Sequence, residues 1–111
     1  MNKVNIILIS TTTLKNREKY EDAVALYSKV LNQIDNKHFL YASVSEGRGI
    51  AYERLNQWDK AETDLLNSLS VSPNQAYVIN YLAYSWIEKG LNINRSLEML
   101  KKANELKPND G

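Results

Sequence analysis

Residues 47–73, GRGIAYERLNQWDKAETDLLNSLSVSP, hold two short amphipathic helix patterns joined by the polar turn Asn56-Gln57. The landmarks of this stretch return further along the chain. Gly49 maps to Ala83 and Tyr52 to Trp86, 34 residues on (83 − 49; 86 − 52). After one extra turn residue, Trp58 maps to Ile93, Ala61 to Ser96, Leu65 to Leu100 and Pro73 to Pro108, each 35 on. Small, aromatic, small and proline marks recurring at this period are the signature of stacked helix–turn–helix units.

Composition agrees with one folded unit of that kind. At 111 residues the chain has room for a single domain with a modest core. Fourteen basic and thirteen acidic residues leave a formal charge of +1. There is thus no field of one sign to draw nucleic acid or an anionic membrane surface. The chain has no cysteine, which excludes a disulfide framework and thiolate metal sites. Near the start, Asn5 interrupts the apolar run and leaves only Ile6–Ile9 continuous. A secretory signal needs about 7–15 apolar residues and a cleavage site, so this segment reads as the beginning of a first helix. No stretch reaches the roughly 20 apolar residues of a membrane span.

Working outward, residues 4–16 are assigned to the first helix by their place in the period, against the β-branched run Thr11-Thr12-Thr13. Asn16-Arg17-Glu18-Lys19 reads as a turn. Tyr20–Ile34 follows as a second helix, with Ala23, Leu26, Tyr27, Val30, Leu31 and Ile34 on one face. Ala23 to Ala61 is 38 residues (61 − 23), and Asp35-Asn36-Lys37-His38 is where the excess fits. Phe39–Leu55 is the third helix, with Phe39, Val44, Arg48, Ala51, Tyr52 and Leu55 facing inward. Gly49 suits a close helix approach; the pattern supplies no reason for Gly47, although each glycine costs about 1 kcal/mol against alanine. Trp58–Val71 is the fourth helix and ends before Pro73. Ala76–Gly90 is the fifth, closed by Gly90 as a left-handed cap, and Asn94 is the expected N-cap of the last helix, which runs to about Leu106.

These residues resemble the tetratricopeptide repeat family. The second unit matches it through Gly49, Tyr52, Trp58, Ala61, Leu65, Leu69 and Pro73, with Arg48 where leucine is usual and Ser68 where alanine is usual. The third matches through Ile79, Leu82, Ala83, Trp86, Leu100, Ala103 and Pro108, with Ser96 in place of the packing alanine. The first matches in its second helix through Tyr20, Ala23 and Tyr27, while Ser10 and Thr11 stand at its Leu-Gly positions. The resemblance spans nearly the whole chain and is fullest over residues 42–108. It implies an all-α, right-handed solenoid of about three units in six helices, one domain over 1–111 with repeats at about 4–37, 42–75 and 76–110. The run Asn80–Ile87 looks like repeats of bacterial members whose arrays continue. A solenoid end without a polar cap exposes apolar surface. The expectation is therefore a segment of a longer array; the alternative is self-association through the C-terminal helix with its Leu97, Met99 and Leu100.

Catalysis finds little support. His38 is the only histidine and sits in a loop segment, which removes histidine metal clusters and most nucleophile–base pairs. Glu62 and Asp64 are two apart on a helix and do not face each other. Glu18, Glu21 and Asp22 lie where acidic residues complement a helix dipole. Four scattered glycines form no phosphate loop. We expect no enzyme activity, no metal and no cofactor.

In the resembled family the first helix of each repeat lines a concave groove. Carried onto this sequence, its positions are Ser43, Glu46, Ile50, Glu53 and Arg54, then Tyr77, Asn80, Tyr84, Ile87 and Glu88. The carboxylate clamp of the family's chaperone-tail binders is not expected, because Leu8, Thr12, Gly47 and Tyr81 stand near its places. Asn80 can pair with a backbone amide at two points, and the tyrosines offer apolar area with a polar tip. The resemblance implies a module that binds a protein or peptide, and the acidic balance of the groove favours a neutral or basic segment.

Overall fold

Asn56, Gly90 and Asn92 turn the chain at φ values of 60°, 69° and 46°. Glycine enters this left-handed region freely, and asparagine tolerates it better than most residues. The computed structural model describes the backbone of residues 3–106 and side chains from Asn16 onward. Within that range it has five helices: α1 (Lys3–Leu31), α2 (Tyr41–Arg54), α3 (Trp58–Val71), α4 (Ala76–Glu88) and α5 (Ile93–Leu106). The pairs α2/α3 and α4/α5 pack as helix–turn–helix units, α1 lies against α2, and α3 meets α4.

Five helices stand where six were expected. The anticipated turn at residues 16–19 is helical, so α1 runs unbroken for 29 residues. Arg17, Glu18 and Lys19 are good helix formers with no glycine or proline among them. Arg17 Nε also reaches Glu21 Oε1 at 3.2 Å, an i,i+4 pair across the expected break. The repeat period had been allowed to override this local preference. Because α1 ends at Leu31, Ile34 falls in the connection that follows.

Other boundaries shift by smaller amounts. α2 opens at Tyr41 rather than Phe39, and Phe39 is 84% exposed instead of facing inward. Its ring stacks on His38 at 4.8 Å, while His38 Nδ1 accepts the Leu40 N–H at 3.1 Å. α5 opens at Ile93, with the Ser96 N–H donating to Asn92 O at 2.8 Å, so Asn94 lies inside the first turn instead of capping it.

Leu65, Val78, Leu82 and Trp86 form the main core, with Trp58, Leu66, Leu69, Tyr81 and Met99 packed around them. A second cluster of Ala76, Ile79 and Ala103 joins α4 to α5. Gly49 marks the closest approach of α2 to α3: a Cβ there would sit 3.0 Å from Leu65 Cγ and 3.2 Å from Ala61 O. Gly47, which the pattern left without a reason, acquires one. A Cβ at Gly47 would lie 2.8 to 3.0 Å from the Cζ, Cε2 and hydroxyl of Tyr27 on α1. The glycine is the floor on which that ring rests. Gly47→Ala should therefore gain little by itself, because its helical advantage is offset by displacing Tyr27. Added to Tyr27→Ala, the same substitution should stabilise by about 1 kcal/mol. Urea unfolding of the four proteins in the cycle measures the difference.

The residues that depart from the repeat pattern are accommodated by specific partners. Arg48 donates from Nε and Nη2 to the two carboxylate oxygens of Asp64 at 2.8 and 2.9 Å, and from Nη1 to Ser28 Oγ at 3.1 Å. One guanidinium thus ties α1, α2 and α3 together. Ser68 donates to Ala42 O at 2.8 Å and accepts from Gln75 Nε2 at 3.1 Å. Ser96 is fully buried, and its hydroxyl has no partner among the described residues.

Candidate functional site

Tyr77, Tyr81, Tyr84 and Glu88 fall at i, i+4, i+7 and i+11 on α4, which brings them onto one stripe of the helix. The stripe lies away from Val78, Leu82 and Trp86, whose burial fixes how the helix is rotated. Tyr77 and Tyr84 are accordingly 61% and 58% exposed. The end of α2 supplies Glu53 and Arg54 opposite them. Together with Asn80 and Ser85 these side chains line an open cavity of about 440 Å³.

Six of the ten groove residues expected from the sequence meet there: Glu53, Arg54, Tyr77, Asn80, Tyr84 and Glu88. Three others, Ser43, Glu46 and Ile50, line a separate hollow of about 500 Å³ where α2 faces Tyr20, Ala23 and Tyr27 of α1. Ile87 is half-buried and lines neither. Tyr81 and Ser85 were not among the expected lining residues. The spacing of Tyr81 from Tyr77 and Tyr84 was the signal that could have found it. Leu8 and Thr12 lie outside the residues whose side chains are described.

The electrostatics follow from partial burial. The Tyr81 hydroxyl donates to Glu53 Oε2 at 3.4 Å, and burial, reinforced by the Glu53 charge, pushes its pKa up to about 12. The phenol therefore stays protonated at neutral pH and remains a donor. Burial also raises the Glu46 carboxyl above its usual range. In the α2/α4 cavity two carboxylates, Glu53 and Glu88, face the single cation Arg54. Tyr77 and Tyr81 present tilted rings 6.2 Å apart. Such a surface offers stacking area, acceptors for cations and an amide able to pair with extended backbone. Among the described residues no three of His, Asp and Glu gather as metal ligands, and no helix is long and apolar enough to cross a membrane.

No family model and no curated protein matches the sequence. A solved structure does: MamA of MSR-1 (C2), a tetratricopeptide repeat protein, superposes with a TM-score of 0.67 at 29% sequence identity. The alignment covers 98% of this chain and 59% of that one. The chain therefore spans less than two thirds of the protein it matches. The shared architecture, read with the 34- to 35-residue register and the paired helices, makes this chain a tetratricopeptide-like, all-α array of helix–turn–helix units.

Proposed function

We propose that the chain is a non-enzymatic interaction module that holds a peptide or partner helix in a concave groove, within a right-handed solenoid. In this reading the repeats are those of the sequence register, at about 4–37, 42–75 and 76–110, and α2 and α4 are the groove-lining helices of the last two. The observation that carries it is the gathering of Glu53, Arg54, Tyr77, Asn80, Tyr84 and Glu88 around one open cavity. The exposure of Tyr77 and Tyr84 supports it, since large aromatic side chains left in water are enriched at binding surfaces.

The partner chemistry follows from the lining. Two carboxylates against one arginine favour a segment that is neutral or carries lysine or arginine, and the tyrosine faces add cation–π attraction. A groove of this length supports micromolar binding, about −8 kcal/mol. The test selects peptides on the immobilised chain from a displayed library and measures their affinity by titration. Tyr84→Ala and Asn80→Ala should each weaken the selected peptides by about tenfold while far-UV circular dichroism stays unchanged. Equal affinity for parent and both variants would remove the groove as the binding site.

A further inference from the structure

The 35-residue register between α3 and α5 reveals a second surface. On α3, Trp58, Leu65 and Leu69 pack on the apolar stripe Val78, Leu82 and Trp86 of α4. Within the same interface Glu62 Oε2 receives the indole N–H of Trp86 at 2.6 Å. Adding 35 places Ile93 at the position of Trp58, Leu97 at Glu62 and Leu100 at Leu65. These three residues share one face of α5. Here the face is open: Leu97 is 55% exposed and Ile93 40% exposed.

The one polar partner of the α3/α4 contact has thus become aliphatic. A helix lying on α5 as α4 lies on α3 would place its Trp86-like residue against Leu97, where an indole N–H finds no acceptor. An aliphatic side chain fits there without loss. A second copy of the chain cannot supply the complementary stripe, because Val78, Leu82 and Trp86 are already buried beneath its own α3 and α5. We infer that the outer face of α5 is a docking site for an amphipathic helix of a partner protein, with an apolar stripe spaced like that of α4 and an aliphatic residue where α4 has tryptophan.

The proposal concerns a different face from the α2/α4 groove and stands or falls apart from it. Its probe is a dye-labelled peptide of residues 75–89 in two forms, one unchanged and one with Trp86→Leu, titrated against the full chain by fluorescence anisotropy. The leucine form should bind about tenfold more tightly than the tryptophan form. Leu97→Glu, which restores the acceptor found at Glu62, should reverse that preference. Tyr84→Ala should leave both affinities unchanged. The inference is overturned if neither peptide binds saturably, or if Leu97→Glu leaves the preference as it was. It is likewise overturned if sedimentation shows a concentration-dependent dimer that Leu97→Glu abolishes, since the face then belongs to a second copy.

Discussion

Asp64→Ala is expected to lower the stability of the chain by about 3 kcal/mol, because it strands the Arg48 guanidinium between helices with Ser28 as its one remaining side-chain acceptor. The Asp64 side chain is 5% exposed and that of Arg48 24%, so water can compensate only in part. The repeat itself indicates how the pair can be replaced. Arg48 corresponds to Leu82 (48 + 34) and Asp64 to Met99 (64 + 35), and in the following hairpin Met99 packs against the cluster containing Leu82. An ion pair and an apolar pair therefore occupy equivalent places in successive units. Removing two charges together avoids their desolvation cost, and exchanging such pairs for well-packed apolar residues is often neutral or stabilising. The double variant Arg48→Leu, Asp64→Met should thus match the parent within about 1 kcal/mol or exceed it. Urea unfolding of the parent, both single variants and the double variant completes the cycle. A double variant as unstable as Asp64→Ala would show that the hairpins are not interchangeable at this position.

The second large effect belongs to Trp86, which is 1% exposed. It touches three helices by different means. Its ring packs in the core with Leu65, its N–H is held by Glu62 on α3, and the Arg95 guanidinium of α5 lies 5.0 Å from its ring centroid. Trp86→Ala removes all three and leaves a cavity, at a cost of about 4 kcal/mol. The loss falls on the seam between the two hairpins. In a linear array, stability is shared between units and the interfaces joining them. Weakening this seam should let the hairpins unfold separately. Fluorescence of the remaining Trp58, at the start of α3, should then report a transition that does not coincide with circular dichroism of the whole chain. Coincident curves for Trp86→Ala would mean that cooperativity is carried elsewhere.

Much of this architecture could be read before any coordinates. The recurrence of Gly49, Tyr52, Trp58 and Leu65 as Ala83, Trp86, Ile93 and Leu100 announced two equivalent hairpins, and Gly90 announced its own left-handed turn. One misplaced feature came from trusting the period over the residues. Arg17-Glu18-Lys19 favours helix, and the expected turn there rested only on where a repeat ought to bend. The groove was partly legible for the same reason that the helices were. Tyr77, Tyr84 and Glu88 share a face at helical spacing, and that spacing would have added Tyr81.

What the sequence determined by itself was therefore whatever depends on neighbours within a few turns of helix: the apolar stripes, the glycine and asparagine turns, and the 34- to 35-residue register. The tertiary structure alone decided the pairings between distant positions. Arg48 finds its charge partner 16 residues away and a hydroxyl 20 residues away. Gly47 makes room for a tyrosine of another helix, and Glu53 and Arg54 meet the tyrosines of α4 across a turn and a whole intervening helix. The division is physical: helix periodicity is written in adjacent residues, whereas the choice of partner depends on which faces close packing brings together.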